Sequence, residues 1–288
     1  MPEAIGEVII SNTPRDGLTG RSPFFQHHFV GGNSFMLKIL KAHIGELGLT
    51  ASAENFDDTI ARTENQLRNL TANLSLESVD VLDGSLMAAV QVTNLAGHKF
   101  PTGYPSRRTW IHLTVTEVDG QVLFESGQPQ ADGRIAGNDA DVDAASFEPH
   151  YDVISHSDEV QIYEAIMQDG DGQVTYTALR AADYAKDNRV LPTGFDKATA
   201  DADIAVYGGA GADENFVGGS DQVTYMIDLP IGTVPYMVTA ELLYSSVSYR
   251  FMQDLRRDSD PVIDRFAGYF DEADRTPVVV DSVAELVP

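Results

Sequence analysis

Seven histidines carry most of the chemistry this chain can offer: residues 27, 28, 43, 98, 112, 150 and 156. Imidazole titrates near neutral pH and is a common metal ligand. His98 lies in Asn94-Leu95-Ala96-Gly97-His98-Lys99-Phe100-Pro101-Thr102-Gly103, directly after a strand-like run. Gly97 and Gly103 free the backbone there and Pro101 restricts it, so the loop can present one imidazole at a sheet edge. His27 and His28 precede Phe29-Val30-Gly31-Gly32-Asn33, ahead of a helical pattern. His150 sits in Glu148-Pro149-His150-Tyr151, a second stiffened loop. His112 alternates with core positions and reads as the surface residue of a strand. By residue type alone, each loop histidine serves as readily in a hydrogen bond as on a metal.

Other chemistries fail a direct check. The chain has no cysteine, which excludes disulfides, thiolate zinc, a Cys nucleophile, iron–sulfur clusters and covalent c-type haem within these residues. Gly-x-Ser-x-Gly, His-Glu-x-x-His and P-loop patterns are missing. Gly208-Gly209-Ala210-Gly211-Ala212-Asp213 lacks dinucleotide spacing and reads as a loop. Asp139, Asp141 and Asp143 are spaced like the start of a calcium loop, but Ala144 and His150 stand where an EF-hand needs Gly and Glu. An irregular calcium site from these residues, or from Asp169 and Asp171, stays open beside solvated acidic turns.

The elements that must position these groups are legible from periodicity. In 288 residues, 44 acidic side chains against 19 Lys and Arg give a net charge of −25. Such a surface disfavours nucleic acid and anionic lipid and favours cationic partners. No apolar run reaches the roughly 18 residues of a membrane span. Residues 1–23 read as an arm. Residues 24–76 read as helical: one helix over 33–47 capped by Asn33 or Ser34, then one capped by Ser52 carrying Phe56, Ile60, Leu67, Leu70 and Leu74. Beyond 77 the period becomes 2. Strands are expected at Leu86–Val92, Trp110–Thr116, Val122–Phe124, Val160–Met167, Val174–Leu179, Gln222–Leu229 and Met237–Tyr244, with turns at Asp119-Gly120 and Asp169-Gly170-Asp171-Gly172. Strands joined by turns without intervening helices predict a mainly β chain, an antiparallel β-sandwich over 77–288. The spacing over 248–270, with Pro261 at a helix start, predicts C-terminal helices. Residues 128–150 and 196–220 read as long Gly/Asp-rich loops.

Several of these segments together resemble a known family. They are His27-x-Phe29-Val30-Gly31-Gly32-Asn33, Gly97-His98-Lys99-Phe100-Pro101-Thr102-Gly103-Tyr104-Pro105 with Arg107-Arg108-x-Trp110, and Glu148-Pro149-His150-Tyr151-Asp152-Val153-Ile154. Val160–Glu164, Lys186–Pro192, Asp221–Tyr225 and Ala240–Tyr244 extend the set. The ordered motifs resemble the cysteine-free C-terminal region of bacterial multihaem c-type cytochromes of the cytochrome c-552/4, cytochrome c554-like group, over about residues 24–270.

That resemblance implies a non-catalytic module of an electron-transfer protein. Haem c would be bound by a separate or preceding region carrying Cys-x-x-Cys-His, which this chain lacks. In such relatives Met-Pro often follows the last haem motif, so Met1-Pro2 is expected to be internal to a longer protein, exported to the periplasm or beyond. The module would shield haems, offer an acidic face to redox partners, and supply distal axial imidazoles. His98 and His27 are the first candidates on the iron and His150 the third. Arg107 and Arg108, with Lys99, would neutralise haem propionates or pair with the chain's own carboxylates. Two other classes stay open: a secreted calcium- or carbohydrate-binding sandwich without redox role, and an enzyme with its own pocket.

Overall fold

The computed structural model describes residues 3–9, 17, 19–26, 28–82, 84–229 and 235–287. His27, Met1 and Pro2 lie outside the described residues. A small antiparallel pair, β1 (Glu3–Ala4) and β2 (Phe24–Phe25), opens the chain. Two helices follow, α1 (Ser34–Ala42) and α2 (Ala53–Leu70). Asn33 caps α1 by accepting from the Met36 amide, 3.0 Å. Ser52 and Asn55 form a reciprocal capping box at α2.

The strands are β3 (Ala72–Leu82), β4 (Ser85–Asn94), β5 (Arg108–Glu117), β6 (Val122–Ser126), β7 (Val153–Ile154), β8 (Ile162–Gln168), β9 (Val174–Thr175), β10 (Asp183–Asp187), β11 (Ser220–Asp228) and β12 (Tyr236–Ser245). Helices α3 (Tyr249–Leu255) and α4 (Pro261–Glu272) come next, and a last strand, β13 (Val278–Val287), completes the described fold. One sheet runs β10-β8-β5-β12-β13, with β6 on β5 and β9 on β8; the other runs β3-β4-β11-β7. All pairings are antiparallel except β7 on β11. The two sheets face each other as an open sandwich with helices near both ends.

Alternation along the strands builds the core. Leu86, Val90 and Val92 of β4, Ile111, Leu113 and Val115 of β5, Val223 and Tyr225 of β11, and Val238 and Leu242 of β12 are all fully buried between the sheets. Each large aliphatic side chain hidden this way stabilises the fold by about 1.5–3 kcal/mol. A second, smaller cluster of Trp110, Ile135, Val160, Ile162 and Leu243 lies apart from it, where Ile135 is supplied by the 128–150 loop.

Two expectations are corrected. The first helix ends at Ala42, with turns over 43–48. The second stops at Leu70, and Leu74 belongs to β3, whose buried face it joins. The expected C-terminal helices are α3 and α4; after them β13 returns to pair with β12 along its length, and Asp281 accepts from the Leu74 amide (2.8 Å) to tie β13 to β3 across the sheet edge.

Candidate functional site

The loop after β4 holds His98 on a rigid mount. Asn94 is buried; its amide donates to the carbonyls of His98 (2.8 Å) and Val190 (2.9 Å) and accepts from the Ala96 amide (2.8 Å). Phe100 is buried and exchanges two backbone hydrogen bonds with Val190. Between these anchors the His98 side chain is exposed. Its Nδ1 lies 3.0 Å from the Lys99 carbonyl. A carbonyl only accepts, so Nδ1 carries the proton and Nε2 of the neutral ring is left with its lone pair. A backbone carbonyl at Nδ1 is the usual way an imidazole is oriented for metal ligation through Nε2.

His98 lines a cavity of about 300 Å³ together with Val30, Gly31 and Gly32 from the segment before α1, Leu67 of α2, Thr102, Arg107 and Tyr244. A second cavity of about 500 Å³ shares Val30 and Gln66 with the first and is lined by His28, Arg62 and Leu70. Leu70, Leu95 and Phe29 are exposed apolar residues that line these hollows or neighbour lining residues in the chain. Ser246 Oγ donates to Asn33 Oδ1 (2.8 Å), which fixes the start of α1, and so the Gly31-Gly32 wall, against the end of β12. Burial pushes the Tyr244 hydroxyl up to about 12, although Arg107 donates to it.

Arg107 and Arg108 are neighbours with opposite surroundings. Arg107 is half-buried at the cavity and has no carboxylate partner among the described residues. Arg108 points into the protein: its side chain is 1 % exposed, Nη1 meets Asp141 at 3.0 Å and Nη2 donates to the Gly133 carbonyl at 2.7 Å. The guanidinium anticipated at a propionate or at an internal carboxylate thus sits at the carboxylate. Lys99 likewise closes on Asp187, 2.8 Å, and on the Ala205 carbonyl.

His150 is also inside, with its side chain 1 % exposed. Nε2 lies 3.0 Å from Asp213 Oδ2, and Nδ1 lies 2.8 Å from Gln161 Nε2 and 3.1 Å from Asn188 Nδ2. The two amides cannot flip freely. Gln161 Oε1 accepts from the Tyr151 amide and Asn188 Oδ1 from the Glu164 amide, so both NH2 groups must face the ring. Nδ1 is therefore an acceptor and Nε2 the donor, the reverse of His98. Desolvation pulls His150 below its ordinary pKa, against the pull of Asp213. His150, Asp213 and Asp221 bring ligand atoms within 4.8 Å of one another, but a cation there would need a bare Nε2. Asp221 is buried, accepts from Tyr163 (2.7 Å) and Gln161 (3.1 Å), and is pushed up to about 7 by desolvation.

The acidic turns are used locally. Asp143 accepts from Ala145 and Ser146, and Asp169 from Asp171 and Gln173. His112 lies on β5 between Glu241 (3.0 Å) and Glu125 (2.9 Å), a strand-surface arrangement as its alternation suggests. Tyr244, Asp213, Asp221 and Asn188 were not legible as site residues, because only non-local packing brings them to the histidines. His28 was visible in sequence but not distinguishable from His27.

No family model matches this chain, and no curated protein matches it. Among solved structures, it shows a weak and partial match to the penta-heme cytochrome c552 of Thermochromatium tepidum. Identity is 15%, the TM-score is 0.43, and the match covers 92% of this chain and 51% of that one. The chain thus spans about half the length of that cytochrome. Having no cysteine, the chain holds no covalently attached haem c. Among the described residues no helix is long and apolar enough to cross a membrane.

Proposed function

We propose that this chain is a non-catalytic module that covers the haem-bearing region of a multihaem c-type cytochrome, on the same or another polypeptide, and lends it His98 as a distal axial ligand. One observation carries the reading: His98 is exposed and lines a cavity, with Nδ1 committed to a backbone carbonyl and Nε2 without a partner among the described residues. An imidazole so held meets the iron without reorienting, which favours low-spin electron transfer. The ordered sequence motifs support the same reading, and the exposed apolar residues at the cavities suit burial against a partner. His27 remains part of the proposal as a second ligand. His150 and Arg108 serve the interior instead. The protein would act outside the cytoplasm, where c-type cytochromes are assembled, with its acidic surface steering basic redox partners.

The test is a titration of the full chain with a ferric haem c peptide that retains its proximal histidine. A low-spin, bis-imidazole absorption spectrum is expected. His98→Ala should leave the peptide high-spin, while His156→Ala, which removes an exposed histidine elsewhere, should change nothing. A wild-type chain that gives no low-spin spectrum, or a His98→Ala chain that gives the same one, overturns the proposal.

A further inference from the structure

Among the described residues, no acid neutralises Arg107 in its cavity. Lys38, Arg62 and Arg275 also line cavities, yet each has a carboxylate within 4.0 Å: Glu64, Asp58 and Asp271. Arg107 has none among the described residues, although acidic side chains outnumber basic ones 44 to 19. Its guanidinium lies against two glycines. A Cβ on Gly103 (φ +83°) would come within 3.3 Å of Arg107 Cζ, and one on Gly32 (φ +66°) within 3.7 Å of Nη1 and 3.5 Å of the Tyr244 hydroxyl. The guanidinium and the phenol therefore share one corner, walled by bare backbone. Val30, Leu67 and Phe100 add apolar wall, and Gln66, Thr71, Thr102 and His98 add neutral polar groups. A planar cation beside a hydroxyl, in a hollow whose described lining includes no Asp or Glu, has the donor geometry for a carboxylate.

We infer that the cavity between Gly32, Gly103 and Tyr244 is a carboxylate-binding pocket anchored by Arg107. That the carboxylate is a haem propionate rests on the docking function proposed above; the pocket itself does not, since a free small carboxylate would use the same donors. His98 lines the same cavity, so Arg107 would be the donor available to a carboxylate of a porphyrin held there.

Three probes separate the possibilities. Sodium propionate is titrated into the full chain while the Arg107 Nε–H resonance is followed by NMR. The haem c peptide is titrated as the free acid and as its propionate dimethyl ester, into wild type and into Arg107→Gln. The expected result is a saturable shift of the Arg107 resonance, about tenfold tighter binding of the acid than of the ester to wild type, and loss of that difference in Arg107→Gln. A propionate shift without an acid–ester difference upholds the pocket and assigns it to free carboxylates. An unmoved Arg107 resonance with equal binding of acid and ester overturns the pocket. A low-spin spectrum in that same experiment would show that His98 ligation stands without it.

Discussion

Two of the histidines, His98 and His150, sit in environments of opposite hydrogen-bond polarity. At His98 the backbone takes the Nδ1 proton and leaves Nε2 bare at an open cavity. At His150 two locked amides donate to Nδ1, and Nε2–H is spent on Asp213 inside the sandwich. Arg107 and Arg108 repeat the contrast one residue apart: the first faces the cavity, the second an internal carboxylate. Residue type therefore does not decide the role here. The direction of each hydrogen bond and the access of solvent do. A reachable lone pair is a binding feature, whereas a fully used ring holds strands and loops together.

The contrast can be broken most directly at the arginines. Arg108→Met should destabilise the protein by about 3–5 kcal/mol in urea unfolding, because Asp141 keeps a buried charge without its partner. Arg107→Met should cost only about 1 kcal/mol, the worth of the hydrogen bond it gives the buried Tyr244 hydroxyl. Similar losses at both positions would erase the distinction.

The histidines give the next largest effect. His150→Ala should cost about 2–3 kcal/mol, since it strips partners from Asp213, Gln161 and Asn188 at once. His98→Ala should leave the unfolding midpoint nearly unmoved while removing the haem response. If His98→Ala proved the more destabilising of the two, His98 would be a structural residue.

A smaller effect concerns pH. Asp221 binds its proton more tightly in the folded protein than its ordinary value of 3.8 allows, at about 7. Its contribution is full below 3.8 and is lost as pH rises through about 7. His150 acts in the other direction: its folded pKa lies below 6.5, so stability falls as pH drops through that region. Asp221→Asn should remove the decline toward neutral pH, measured as unfolding free energy from pH 4 to 8. An unchanged pH profile would mean that Asp221 is already ionised in the fold.

Much of the architecture was open to reading from periodicity. Ser52 and Pro261 marked helix starts through chemistry local to a few residues. The alternation in Leu86–Val92 and Trp110–Thr116 marked strands because one face of each is buried. Leu74 misled, since its spacing from Leu67 and Leu70 also fits a helix and only the pairing of β3 with β4 makes it a strand residue. Val278–Val287 was missed because it alternates weakly and follows two helices; its strand exists by virtue of β12. The site was legible only in part. Gly97, Pro101 and Gly103 announced a shaped loop around His98, but nothing local announced Tyr244 or Asp213.

The amino-acid order alone determined the absence of covalently attached haem c, the acidic surface, the alternation that makes a sandwich, and a short set of loop histidines. Those follow from composition and from periods of two and 3.6, which act between near neighbours. Which nitrogen of each imidazole is bare, and which arginine meets solvent, was decided only by tertiary structure. The reason is physical: a tautomer is set by the partner across the gap, and Asn188 and Asp213 reach His150 from far along the chain, through sheet pairing and loop packing.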